Sequence, residues 1–404
     1  MRILFLATWF PSPPDNGSKL RVYHLLRALG QAHQVSLLSF AFATARLEDS
    51  APLAQCCEQV NIVKIDPFAA NRAGALRTFL SLRPVASRRI EAMSQLVAGT
   101  IGSQTFDAMI ASTEMMADYA LQRPPGTVNI LEEHNSMTRL MQERYADTVN
   151  PVQRARCWAS WRKTRWYEAR LFRQFDLVTM VSPQDQAVCL SDLPGYHGQV
   201  EVVPNGVDCT HNQPGLMKVR PNRLVYNGSL TYSANYDAMQ WFLAEIYPCI
   251  RAQVPDVSLT ITGSTVGVDP AGLALDDSVR LTGYVEDVRI PVAEATVAIA
   301  PIRQGGGTRL KILEAMALGT PVVATAKGAE GLDVVDGEHL LLADDPERFA
   351  NQTVQLLGNG DLRCRMALNA RCLVESRYDW LQIGQKFVAL VEETVNQVKA
   401  GFDE

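Results

Sequence analysis

Three consecutive glycines, Gly305-Gly306-Gly307, stand between a short apolar run and a helical stretch opening Thr308-Arg309-Leu310-Lys311. Glycine lets backbone N–H groups approach a ligand closely, and a helix N-terminus favours an anion such as phosphate. From Ile312 to Leu318, Glu314 is the only polar residue. A helix apolar all round is buried, and a buried carboxylate without a partner is costly. Two ribose hydroxyls would satisfy Glu314; so would an internal Arg or Lys.

Pro13-Pro14-Asp15-Asn16-Gly17-Ser18-Lys19-Leu20-Arg21 offers a second phosphate-facing turn, with Ser18 as the expected N-cap of the following helix. It is not G-x-G-x-x-G, which argues against a nicotinamide dehydrogenase. Leu131-Glu132-Glu133-His134-Asn135 ends an apolar run and places three ionisable groups at a strand's carboxyl edge. No Asp-x-Asp occurs, so a carboxylate pair holding a divalent cation on a diphosphate is not evident. Residues 150–174 carry seven Arg or Lys against Glu168, with Trp158, Trp161 and Trp166 among them. That pattern suits an anionic lipid interface, or a helix with Trp in the core and Arg in solvent. Arg72, Arg77, Arg83, Arg88 and Arg89 form a smaller basic cluster.

The elements that must position these residues are legible as alternating apolar runs and helix-length segments. Seven runs fall at 3–8, 34–39, 60–65, 107–111, 127–131, 176–181 and 200–203; six more fall at 223–227, 257–262, 279–282, 296–300, 321–324 and 339–343. Helices are expected over 18–29, 88–101, 234–253, 308–318, 346–357 and 380–398. Strands apolar throughout are buried on both faces, which means mostly parallel sheets in α/β layers. Two such series imply two doubly wound domains, with a boundary at the turn formers of 204–215. Ligands bind outside the carboxyl ends of such strands, so facing domains would make a cleft.

The chain has 404 residues, 47% hydrophobic and 20% charged. That excludes a disordered or fibrous chain. The opening residues read as a buried first strand rather than a signal peptide, since Pro11 to Pro14 follow at once and no A-x-A-like site is present. Eight cysteines without C-x-x-C spacing suggest reduced cytoplasmic thiols and no zinc site. A net charge of -5 does not suggest a nucleic-acid binder. Residues 1–205 hold 21 Lys and Arg against 18 Asp and Glu; the remainder holds 17 against 25. The two halves therefore face different partners, or one closes over something anionic.

With these residues in place, the chain resembles the retaining glycosyltransferases of family 4, in particular the bacterial branch that builds exopolysaccharide and other envelope glycans. The resemblance spans nearly the whole length. It rests on the loop at 13–18, Val203-Pro204-Asn205-Gly206-Val207-Asp208, Tyr226-Asn227-Gly228-Ser229, Leu281-Thr282-Gly283-Tyr284-Val285-Glu286-Asp287, and the stretch ending Glu314-Ala315-Met316-Ala317-Leu318-Gly319. It implies an α/β GT-B fold of two Rossmann-like doubly wound domains facing across a cleft. Residues 1–205 would bind the acceptor, 206–375 the nucleotide sugar, and 376–404 would form a helix crossing back to the N-terminal domain. Glu314 matches the second glutamate of the family's E-x7-E motif, which holds the ribose. Gly306 stands where the first belongs, and Ser229 and Asn235 stand where an Arg and a Lys hold the diphosphate.

The resemblance further implies donor contacts at Gly17, Ser18, Gly228, Ser229, Gly263, Tyr284, Val285, Gly306, Gly307, Thr308, Arg309 and Glu314. Arg309 and Lys311 would replace the missing basic pair, and His134 would stand at the sugar end of the cleft as a third catalytic residue. No metal and no cofactor beyond a UDP- or GDP-linked sugar is implied. A glycan or lipid-linked acceptor is, with an anionic membrane surface as candidate partner of a cytoplasmic, peripheral protein. The implied reaction is a same-face displacement in which the leaving phosphate accepts the acceptor's proton, with closure on a hinge near 204–222 excluding water. A nucleotide-sugar 2-epimerase of the same architecture and a non-catalytic sugar-nucleotide-binding paralogue remain as alternatives.

Overall fold

The computed structural model describes residues 1–42, 51–68 and 89–401. The chain divides into two compact units: unit 1 is Met1–Pro204 with Ile383–Glu404, and unit 2 is Asn205–Gln382. Each is built on a parallel sheet.

Among the described residues, unit 1 holds seven strands: β1 (Arg2–Ala7), β2 (Gln34–Phe40), β3 (Gln59–Val63), β4 (Ala108–Ser112), β5 (Val128–Glu132), β6 (Leu177–Met180) and β7 (Gln199–Val202). Their order is β3-β2-β1-β4-β5-β6-β7. Residues Ile3 to Ala7 are wholly buried, the signature of a strand covered on both faces. Unit 2 has β8 (Arg223–Asn227), β9 (Ser258–Thr262), β10 (Val279–Gly283), β11 (Val297–Ala300), β12 (Val322–Ala324) and β13 (Leu341–Leu342), in the order β10-β9-β8-β11-β12-β13. In both sheets the chain starts in the middle, builds outward one way and returns to build the other. The crevices lie at the carboxyl ends of β1 and β4, and of β8 and β11.

The helices that follow bear on function. They are α1 (Gly17–Ala32), α2 (Glu91–Ser103), α3 (Glu114–Ala120), α4 (Met137–Asp147), α5 (Pro151–Phe172), α6 (Ser233–Trp241), α7 (Tyr247–Gln253), α8 (Leu310–Ala317), α9 (Pro346–Gly358), α10 (Gly360–Arg377) and α11 (Trp380–Ala400). Asn16, not Ser18, caps α1: its backbone is extended and its side chain accepts from the amide of Lys19, so the helix already runs at Gly17. The helix expected over 234–253 is interrupted by a π turn at Phe242–Ile246. Pro248 has no N–H to give the ladder, and the wider turn absorbs the loss.

α4 and α5 pair as a hairpin. Its root is tied by Glu168 of α5, whose carboxylate accepts from the amides of Met137 (3.0 Å) and Thr138 (3.1 Å) in the first turn of α4. The expectation that the tryptophans fill a core fails for two of them. Trp158 is 50% and Trp166 48% exposed, whereas Trp161 stacks on Tyr145. Trp158, Arg162, Trp166 and Arg170 sit four residues apart along one exposed side of α5. Glu168 is not the only counter-charge, because Asp192 pairs with Arg165 at 2.6 Å. Of the smaller basic cluster, Arg72, Arg77, Arg83 and Arg88 lie outside the described residues, and Arg89 donates to Ser94. Among the described residues no helix is long and apolar enough to cross a membrane.

α11 leaves unit 2 at Gln382 and belongs to unit 1 from Ile383 on. Ile383, Phe387, Val391 and Val395 are buried at steps of four, one apolar stripe of a helix lying on a core. Gly384 packs so closely that an added Cβ would lie 2.6 Å from Cβ of Ala28 in α1. Lys386 donates to the carbonyl of Val202, and Lys399 pairs with Asp107. Phe387→Ala is expected to destabilise unit 1 by about 3 to 5 kcal/mol, the cost of emptying a filled aromatic site. Denaturant unfolding of the full chain measures it, and a loss under about 1 kcal/mol would mean the stripe is dispensable.

Candidate functional site

In unit 2 the predicted residues collect at the carboxyl ends of β8, β9 and β10 and at the start of α8. Asn227 closes β8, and its side-chain amide donates to Glu314 Oε2 at 2.8 Å. That answers what satisfies the carboxylate: an asparagine from the neighbouring strand end, not an Arg or Lys. Burial raises the Glu314 carboxyl, with Lys311 and Asn227 pulling the other way.

Lys311 lies one helical turn earlier, and its Nζ donates to Tyr226 Oη (2.7 Å) and Asn235 Oδ1 (3.0 Å). Its ammonium thus stands against the side chain of the residue the resemblance aligned with the missing lysine. Glycine at 228 makes room, since a Cβ there would meet Lys311 Nζ at 2.6 Å. Burial, and then the Arg309 guanidinium, pull the Lys311 ammonium down to about 7, against the attraction of Glu314. A half-buried lysine whose hydrogen bonds go to a phenol and an amide sits ready for an anion.

The glycine loop is reached by Arg309 differently from expectation. Its guanidinium turns back onto the loop, donating to the carbonyls of Gln304, Gly305 and Gly306. Gly305 and Gly307 have φ of 94° and 83°, a turn that favours glycine. The helix begins at Leu310, not Thr308, because Arg309 has a non-helical backbone. Thr308 Oγ1 is buried without a hydrogen-bond partner among the described residues. Ser229 donates to the carbonyl of Ser264, and Gly263 lies against the Gly228 backbone. Tyr284 is exposed and Val285 half-buried, beyond the end of β10.

In unit 1 the expected residues stand at the same edge of the other sheet. Gly17 and Ser18 form the first turn of α1. Glu132, the last residue of β5, is wholly buried. One carboxylate oxygen accepts from Nε of Arg21. The other accepts from Ser112 Oγ (2.8 Å) and pairs with His134 Nε2 (3.1 Å). Burial alone would raise this carboxyl; the guanidinium of Arg21 and the imidazole of His134 outweigh it and hold it well below the usual range. The indole of Trp9 stacks on His134 with centroids 5.8 Å apart.

Glu133 does not join them. Side chains alternate across a strand, so it points the other way, toward Glu114 and Glu168. Burial, then the charges of Glu114, Glu168 and Glu132, push its carboxyl well above the usual range. Glu114 is pushed up to about 8 by burial and Glu168, and Glu168 to about 7 by burial.

Sequence reasoning found Glu314, Lys311 and His134 but missed their partners. Asn227 and Tyr226 sat in a quoted motif without a role. Arg21 was read as part of a loop, and Ser112 and Trp9 were not singled out.

The raised ionisation of Glu114 acts on stability with a definite sign. It lies near 4.5 when exposed and near 8 in the fold, so stability present in acid is lost as pH rises from about 4.5 to about 8. Glu114→Gln is therefore expected to raise the melting temperature at pH 9 and leave it nearly unchanged at pH 5. Each tenfold difference in proton affinity between the folded and unfolded chain is worth about 1.4 kcal/mol. Calorimetry at the two pH values reads the difference, and an equal effect at both would refute the buried charge.

A family model described as Glycosyltransferase Family 4 matches residues 16–211, and one described as Glycosyl transferases group 1 matches 221–359. The MMP alpha-(1->4)-mannosyltransferase of Mycolicibacterium hassiacum is 25% identical over 95% of this chain and 96% of its own. An uncharacterised 44.6 kDa protein in the cps region of Klebsiella pneumoniae is 20% identical over 94% and 96%. The structure of sucrose-phosphate synthase from Thermosynechococcus elongatus superposes with a TM-score of 0.72 at 18% identity, covering 97% of this chain and 99% of that one. HepE of Anabaena, solved in complex with UDP-glucose, gives 0.66 at 16% identity, covering 97% and 100%. In both halves of its length, then, the chain belongs to the glycosyltransferases of family 4 and carries their GT-B fold.

Proposed function

We propose that the protein transfers a hexose from a UDP- or GDP-linked donor to a glycan or lipid-linked acceptor of the cell envelope, with retention of configuration and without a divalent cation. The observation that carries this reading is the Glu314 group. A carboxylate held by Asn227 and a poised ammonium at Lys311 stand together at the switch point of a doubly wound sheet. The carboxylate suits two ribose hydroxyls and the ammonium suits the diphosphate. Mannosyltransferases among the relatives and UDP-glucose in a structural neighbour support a hexose donor.

In this reading unit 2 holds the donor through Gly228, Ser229, Gly263, Tyr284, Val285, the 306–309 loop and Glu314. Gly17 and Ser18 of unit 1 are further donor contacts in this reading, and His134 is a catalytic residue. The C1–O bond to the diphosphate breaks, the acceptor oxygen bonds to C1 on the same face, and its proton passes to the leaving phosphate. Two features support a displacement without a protein nucleophile: Glu132 is wholly engaged by Arg21, Ser112 and His134, and Glu133 is buried facing away. Lys311, as an ammonium, neutralises charge on the diphosphate as the bond breaks. Arg309 serves by bracing the glycine loop.

We place the protein on the cytoplasmic face of the plasma membrane, with the α4–α5 hairpin as its contact. The alternating Trp and Arg of α5 support this: indoles suit the headgroup boundary, and guanidiniums suit anionic lipid. Val149 and Val152 at the hairpin tip are 91% and 71% exposed.

Glu314→Ala should weaken donor binding by about 2 to 4 kcal/mol, because ribose hydroxyls lose their acceptor. Titration calorimetry against a panel of UDP- and GDP-hexoses measures it, and unchanged affinity returns Glu314 to a structural role. Turnover should persist in EDTA; loss restored by Mg²⁺ or Mn²⁺ would sink the cation-free mechanism. Anionic vesicles should sediment the protein at low salt and release it near physiological salt, since each basic residue is worth about 1 kcal/mol. Arg162→Glu with Arg170→Glu should abolish sedimentation and spare donor binding. Equal binding to neutral vesicles would overturn the charge argument.

A further inference from the structure

We infer that Glu132, clamped by Arg21, is a positioning residue that fixes the proton of His134 on Nε2 and leaves Nδ1 for a sugar hydroxyl. The inference rests on the role given to His134 above.

Hydrogen-bond accounting carries it. His134 Nε2 has two neighbours, Glu132 Oε2 at 3.1 Å and Ser112 Oγ at 3.0 Å. A carboxylate only accepts. The hydroxyl hydrogen of Ser112 is spent on Glu132 Oε2, at 2.8 Å, so toward the imidazole Ser112 also accepts. Two acceptors facing one ring nitrogen require that nitrogen to carry the proton. His134 Nδ1 has no hydrogen-bond partner among the described residues, although the side chain is 7% exposed. A buried polar atom left open at a strand's carboxyl edge is costly until a ligand completes it.

The surroundings are built to hold this geometry. Ser112 and Glu132 are direct register partners on β4 and β5, so their side chains share a face. Arg21 approaches from α1 and also donates to the carbonyl of Pro204, the last residue of unit 1 before the chain enters unit 2. Trp9 covers one face of the ring and is itself stacked on Phe68. Next to Ser112, Thr113 holds φ of 74° and ψ of 155°, a conformation strained for any residue but glycine. It is retained by the Glu132 carbonyl, which accepts its amide at 2.7 Å, and by a 2.8 Å contact with the Thr8 hydroxyl. A simple structural ion pair would need neither the Ser112 link nor the strained corner.

Nitrogen NMR on the full chain with labelled histidine tests it directly, the His134 signals being assigned by their loss in His134→Asn. The wild type should show Nε2 protonated. Glu132→Gln should move the proton toward Nδ1, because an amide N–H can now face Nε2. It should lower kcat by about 100-fold, the cost of misplacing one group that orients the sugar. Glu132→Asp, which keeps the charge beside Arg21, guards against misfolding and should recover part of the rate if it recovers the tautomer. Glu132→Gln combined with His134→Asn should be no slower than His134→Asn alone. An Nδ1-protonated wild type, or multiplying effects in the double variant, would overturn the inference. Unchanged turnover in His134→Asn would instead remove His134 from the proposed reaction, and the tautomer measurement would still decide what Glu132 does.

Discussion

A guanidinium and a carboxylate closed off from water hold the working edge of unit 1 together. Arg21 is 1% exposed and Glu132 is not exposed at all. Removing either partner of such a pair strands the other charge, a loss of about 3 to 5 kcal/mol. The pair joins the first helix to the fifth strand, and through the Pro204 carbonyl it fixes where the chain departs. Ser112, His134 and the strained Thr113 all take their positions from the same carboxylate or its backbone. The edge is therefore one network, not a set of separate side chains.

Unit 2 solves the same problem in the opposite way. At its own site Lys311 and Glu314 are both displaced toward their neutral forms by burial, and their hydrogen bonds go to amides and a phenol instead of to a full charge. At its Glu132 edge, unit 1 has settled its electrostatics with Arg21. Unit 2 keeps its own unsettled, which is what differential binding of an anionic ligand requires.

Much of this fold was legible because doubly wound sheets write themselves as continuous apolar runs. All thirteen expected strands appear, with their ends displaced by a few residues at most. The site was legible only where a residue broke the local pattern, as Glu314 does in an apolar helix. Partners were not, because they come from afar: Arg21 and Glu132 are 111 positions apart. Glu133 could have been placed correctly, since the period-two rule already sends neighbours to opposite faces. The exposed tryptophans could not, because a long helix with Trp, Arg and Lys gives nearly the same periodicity whether or not something covers it. The fold of Arg309 onto its own loop depends on glycine torsions that composition does not encode.

The two units also differ in how the chain supplies them. Unit 2 is one uninterrupted stretch, whereas unit 1 is completed by Ile383–Glu404 after that stretch has been made. During vectorial synthesis the whole of unit 2 is made while unit 1 still lacks the helix carrying Ile383, Phe387, Val391 and Val395. Until those side chains emerge from the ribosome, the apolar surface they cover, beside Ala28, is bare. Unit 1 therefore cannot complete its core from its own N-terminal stretch, and its folding is tied to residues made after the whole of unit 2.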